Sequence, residues 1–110
     1  MAIGKRQQNK LHKWWTDHAA SEADGMIAKL DEYGTGDLHE IGERLAALMD
    51  RDVTQQQAYE LGVMFYLIGK MQRVITAAEL QRDASDDTWH DIAVYAKMVL
   101  AARAKAMPQQ

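Results

Sequence analysis

The stretch "YELGVMFYLIGKMQRVITAAEL", Tyr59 to Leu80, decides the fold. It is apolar around most of a helical circumference, the mark of a helix with neighbours on several sides. β-branched residues are sparse, and no segment of the chain alternates with period two. The single proline is Pro108, so nothing before it breaks a helix by covalent constraint. The chain reads as all-α.

Working outward, the spacing predicts a helix from about Gln55 to Gln81 with Thr54 as its N-cap. Before it, "DRDVT" makes a turn, and a shorter helix runs from Asp37, a plausible N-cap, to Met49. The first helix spans about Asn9 to Glu32 and stops at "YGTGD", where Gly34 can adopt the left-handed conformation of a helix end. On the other side "RDAS" makes a turn, and Ser85 or Asp86 caps a fourth helix that runs to about Ala106. Four helices with short connections read as an antiparallel bundle. Residues 1–8 read as a flexible basic start, 9–106 as a single helical domain and 107–110 as a tail.

A chain of 110 residues, 47% hydrophobic and 26% charged, suits one domain with a modest core. Its formal charge of −3 argues against nonspecific nucleic-acid binding by the body, which needs an excess of Lys and Arg. The absence of cysteine excludes disulfides, thiolate metal sites and thiol nucleophiles together. Lys5, Arg6, Lys10 and Lys13 make the start basic, yet no apolar run follows that fits a signal-peptide core or a membrane span. The expected location is cytoplasmic, meaning the host cytoplasm if the chain is phage-encoded. Trp14 and Trp15 read as aromatic anchors of a packed helix rather than as a membrane-surface face. So much apolar area in so small a bundle predicts a homo-dimer or homo-tetramer whose interface uses the third or fourth helix.

Several charged groups break this pattern. In "SDDTWHDIAVYAKMVL", Ser85 to Leu100, Asp87 and Asp91 lie one turn apart on the stripe that continues through Tyr95, Met98 and Ala102. Glu22 falls in the row of Leu11, Trp15, Ala19, Met26, Leu30 and Tyr33, and Glu60 in the row of Met64, Leu67, Met71 and Ala78. An unpaired buried carboxylate protonates or finds a cation, and several that converge suit a hard divalent ion such as Mg²⁺. Lys70 and Arg73 share a sector with Tyr59, Gly62 and Tyr66, a polar seam whose small residue can admit a ligand between helices, and both bases suit phosphate oxygens.

Each group has a plainer reading beside this one. Glu22 and Glu60 can pair with Lys or Arg of a neighbouring helix, Asp87 can meet the positive end of a helix dipole, and Lys70 or Arg73 can form an internal ion pair with Asp87 or Asp91. Glu40 and Glu43 have the E-x-x-E spacing of helical metalloenzymes. They point away from the stripe of Leu38, Ile41, Leu45, Leu48 and Met49, however, and Glu40 should support Arg44 one turn on. His12, His18, His39 and His90 show no zinc-site spacing, and there is no Gly-rich phosphate loop.

Taken in order, "KLDEYG", "GKMQRV" and "DDTWHDIAVYAKM" resemble the phage-enriched helical domains related to MazG-like all-α nucleotide pyrophosphohydrolases, over roughly residues 22–102. The matching positions are Lys29 with Tyr33 and Gly34, Lys70 with Arg73, and Asp87 with Asp91 and Tyr95. The resemblance implies a Mg²⁺-dependent enzyme, or one using Mn²⁺, that cleaves a (deoxy)nucleoside triphosphate to the monophosphate and pyrophosphate. Asp87 and Asp91 would hold metal, with Glu22 or Glu60 as further ligands. Lys70 and Arg73 would take the phosphates, with Asp87, Asp91 and Lys70 carrying catalysis. Lys29 would assist, and Tyr33 and Tyr95 would belong to the substrate site. The family's two acidic pairs, E-x-x-E followed by E-x-x-D, are not reproduced, since the later pair here is spaced by four. The alternative is a noncatalytic helical phage protein that binds a partner through the apolar third helix. A third reading, nucleic-acid binding through the basic start, predicts a strongly salt-sensitive association.

Overall fold

The computed structural model describes residues 2–33 and 36–107, with Glu32 and Tyr33 by their backbone only. Four α-helices follow in order: α1 (Lys5–Tyr33), α2 (Gly36–Leu48), α3 (Gln55–Glu79) and α4 (Asp86–Arg103). Among the described residues no strand occurs and no helix is long and apolar enough to cross a membrane.

The starts of the later helices are set by caps that the sequence announces. Thr54 and Gln57 form a reciprocal capping box, the Gln57 backbone N–H donating to Thr54 Oγ1 at 3.1 Å and the Thr54 N–H to Gln57 Oε1 at 2.9 Å. Ser85 Oγ accepts from the Thr88 N–H at 3.2 Å and caps α4. Asp37 lies inside the first turn of α2 rather than at its cap. The ends are less conventional. Asp50, Gln81 and Lys105 adopt positive φ of 54°, 57° and 58°. After each, the next N–H reaches back five residues: Arg51 to the Ala46 carbonyl, Arg82 to Ala77 and Ala106 to Ala101. This is the glycine-type helix stop made without glycine, and it ends α3 and α4 two to three residues before the predicted Gln81 and Ala106. Gly34, expected to end the first helix, lies outside the described residues.

α3 lies between α2 and α4, while α1 makes its helix contacts with α4. α2 and α3 pack backbone to backbone, because Gly42 faces the Ala58 backbone and Gly62 faces the Leu38 backbone, each within a distance that leaves no room for a Cβ. The core is Leu38, Tyr59, Val63, Val94, Tyr95 and Met98, with Met26, Leu30, Tyr66, Leu67, Val99, Ala102 and Met107 packed around it.

Only the second half of α1 joins this core. Residues 5–20 are exposed throughout, and Trp14 and Trp15, expected to anchor a packed helix, stand more than half in solvent. Trp14 stacks on His18 of its own helix at 4.0 Å. The projecting half of α1 explains a radius of gyration of 16.8 Å, well above the roughly 13 Å of a compact chain of this length.

Candidate functional site

With Ser85 at its cap, α4 turns Asp91 inward at the head of the row Val94, Tyr95 and Met98, all buried. On α3, Lys70 lies on the face that buries Tyr59, Val63 and Ala77. The two therefore meet between the helices. Lys70 Nζ donates to Asp91 Oδ2 at 2.7 Å, with Lys70 7% and Asp91 6% exposed. From α1, Lys29 Nζ reaches Asp91 Oδ1 at 3.3 Å. One carboxylate from α4 thus takes one lysine from α3 and one from α1.

Two tyrosines complete the cluster. The Tyr66 and Tyr95 rings lie 4.3 Å apart with 34° between their planes. Lys29 Nζ stands 5.6 Å from the Tyr95 ring centre and Lys70 Nζ 5.4 Å from that of Tyr66, within cation–π range. Beside them opens a cavity of about 420 Å³ lined by Lys29, Asp37, Leu38, Ile41, Tyr66, Tyr95 and Met98, a size that takes a small-molecule ligand.

The electrostatics follow from the packing. Burial opposes the charge on Asp91, but the Lys70 hydrogen bond and the charge of Lys29 outweigh it, so its carboxyl is held below the ordinary value. Burial also works against charged Lys70, yet the hydrogen bond to Asp91 and the Tyr66 hydroxyl win, and its ammonium is held above the ordinary value. Burial, then Tyr66, pushes the Tyr95 phenol upward. Tyr59, deeper in the core, is pushed up to about 12 by burial. Its hydroxyl and His39 Nδ1 are buried without a hydrogen-bond partner among the described residues.

Of the residues singled out from the sequence, Lys29, Lys70, Asp91 and Tyr95 come together. The Tyr33 side chain lies outside the described residues. Arg73 is exposed and lines a different cavity, of about 500 Å³, with Gly69, Arg82 and Ser85. Asp87 is exposed in the first turn of α4, where it faces the positive end of the helix dipole. Glu22 is half-buried on α1. Glu60 accepts from Arg103 Nε at 2.9 Å and from Gln56 at 2.8 Å, and its carboxyl is held low first by the Arg103 hydrogen bond. It sits ten residues before Lys70, about 15 Å along α3. Gly62 opens no gap in a polar seam, because the Leu38 backbone fills the space it leaves. Glu40 pairs with Arg44 at 2.7 Å on the surface, as its spacing predicts.

The described residues do not fit a resident divalent cation. No group of three or more Asp, Glu or His gathers among them, and both oxygens of Asp91 already face ammonium groups. Asp37, Leu38, Ile41 and Met98 enter the cavity wall without having been candidates. Tyr66 was legible, lying one turn before Lys70. The α2 residues carried no signal beyond their apolar stripe. The chain matches no protein-family model, no curated protein and no solved structure.

Proposed function

We propose that the chain binds a (deoxy)nucleoside triphosphate in the cavity beside Tyr66 and Tyr95. The observation that supports this reading is the pairing of two lysines with one buried carboxylate next to an aromatic-walled opening. Lys29 is the lysine available to a ligand. It lines the cavity, holds Asp91 at the longer distance of 3.3 Å and keeps about a quarter of its side chain in solvent. A phosphate oxygen can draw the Lys29 ammonium away while Lys70 keeps Asp91 neutralised. The tyrosine rings offer a face for the base.

Mg²⁺ or Mn²⁺ enters this reading as the ion that a triphosphate carries with it. Cleavage to the monophosphate and pyrophosphate is the activity implied by the resemblance to MazG-like enzymes. It needs a group that activates water, and the site's one buried carboxylate is held by two lysines, so binding is the part this geometry supports best. The second reading, a noncatalytic helical interaction protein, is favoured by the exposed apolar face of α3. For the architecture we propose an antiparallel bundle completed by self-association as a homo-dimer or homo-tetramer. Leu38 opposite Gly62, and Gly42 opposite Ala58, support opposite directions for α2 and α3.

Each dNTP and NTP, with and without Mg²⁺, is titrated calorimetrically, and pyrophosphate release is measured in parallel. Saturable binding that Lys29→Gln weakens about tenfold, the loss of one charge-assisted contact, supports the nucleotide reading. Release of pyrophosphate adds hydrolysis to it. No binding by the wild type to any nucleotide rejects it and leaves the interaction protein.

A further inference from the structure

The middle of helix α3 buries its one charge and exposes apolar side chains. From Leu61 to Gln72 the one charged residue is Lys70, and it is buried. On the outward face Met64, Phe65, Ile68 and Met71, followed by Ile75, are each 50–54% exposed. A surface helix that meets only water shows the opposite arrangement. Leu61, Met64, Ile68, Met71 and Ile75 follow one another in steps of three and four, the spacing of a helix-to-helix seam, over about 21 Å.

We infer that this face is the interface of a symmetric dimer, in which α3 of a second copy lies against it in the opposite direction with the two-fold axis at Ile68. The spacing is the same read either way from Ile68, with Gln72 its one polar member. Met71 and Gln72 follow at three and four residues, as Phe65 and Met64 precede, and Ile75 follows at seven as Leu61 precedes. A two-fold axis requires such a self-complementary patch. Running oppositely, the helices set Leu61 against Ile75 of the second copy, and Met64 and Phe65 against its Met71 and Gln72.

Charge and area point to the same occupant. Between Leu61 and Ile75 the stripe itself holds no charge, so two copies meet along it without repulsion, and charge appears only at its end, where Arg51, Asp52 and Glu60 lie. Five side chains of roughly 200 Å² each, half exposed, offer on the order of 500 Å² per copy. Two copies together reach the ~1,000 Å² at which specific interfaces begin. At one end of the stripe an open groove of about 560 Å³, whose floor of Val53, Leu61 and Met64 is rimmed by Arg51, Asp52 and Glu60, receives Ile75 and the exposed Leu80 of the second copy. None of this depends on the nucleotide site.

The chain contains no cysteine, so Ile68→Cys places a unique thiol on the axis. The wild type should sediment at twice the 12.4 kDa of the chain. Ile68→Glu should halve that mass while the far-ultraviolet helical signal is retained. Under mild oxidation Ile68→Cys should convert to a disulfide-linked dimer, whereas Glu43→Cys, on the exposed side of α2, should not. Should Ile68→Glu fail to fold, the cross-link decides. A wild type that stays at single-chain mass up to millimolar concentration overturns the proposal. A dimer that survives Ile68→Glu, or one in which Cys at 68 does not cross-link, overturns it as well.

Discussion

Lys70 and Asp91, twenty-one residues apart in the chain, close a 2.7 Å ion pair with both side chains more than nine-tenths withdrawn from water. In such a pair the cost of desolvation is large and the mutual attraction is what offsets it. Removing one partner strands the other. Asp91→Leu and Lys70→Met should therefore each cost about 3–5 kcal/mol, while the two combined should recover most of that loss. Urea unfolding of the four proteins checks this, and additive single losses in the double variant would show that the pair is not coupled.

The same pair sets the pH limits of stability. The Asp91 carboxyl is held low, with burial opposing and the two lysines prevailing. Its contribution is therefore complete above the ordinary carboxylate pKa near ~4 and is lost as pH falls through its folded-state value. The Lys70 ammonium is held high, burial again opposing and Asp91 prevailing. Its contribution is complete below about pH 10 and is lost as pH rises through the folded-state value. The stability gap between wild type and Asp91→Asn should thus be constant at mid-range pH, begin to shrink below about pH 4 and close only once the pH has passed the lower folded-state value, where the wild-type carboxyl is protonated and resembles the amide. Thermal midpoints of both proteins from acid to neutral pH test the sign. A gap that widens in acid would contradict it.

Three glycines should respond in opposite senses to alanine. On propensity alone, Gly→Ala in a helix gains up to about 1 kcal/mol. At Gly42 and Gly62 the new Cβ meets the backbone of Ala58 and Leu38, and forcing the helices apart should cost about 1–3 kcal/mol or more. At Gly69 a Cβ meets nothing within 4 Å, so propensity prevails. Melting should fall for Gly42→Ala and Gly62→Ala and rise by a few degrees for Gly69→Ala, at about 4–8 °C per kcal/mol.

The helices and two of their caps were legible because Thr54, Gln57 and Ser85 act on backbone groups within three residues of themselves. The ends of α3 and α4 were not, because Gln81 and Lys105 take left-handed conformations that the sequence signals only when the residue is glycine. Helix rotation was legible for Asp91, whose row of apolar neighbours continues down α4. It was misleading for Glu60, whose row on α3 is the outward one, so the carboxylate found Arg103 at the far end of α4. Which small residue is a gap and which is a contact cannot be read from spacing. Gly62 is a contact because α2 crosses there, a fact set by the whole chain.

Among the described residues Lys29 makes the one ion pair between α1 and the other helices. Any anion that recruits its ammonium unfastens that tether in the same motion. If the cavity takes the proposed anion, its filling and the hold on α1 would meet at the Lys29 ammonium, beside the core packing of Met26 and Leu30. Tryptic cleavage around Lys10 and Lys13 should change pace when the cavity fills, and Lys29→Gln should hold α1 permanently at the slackened setting.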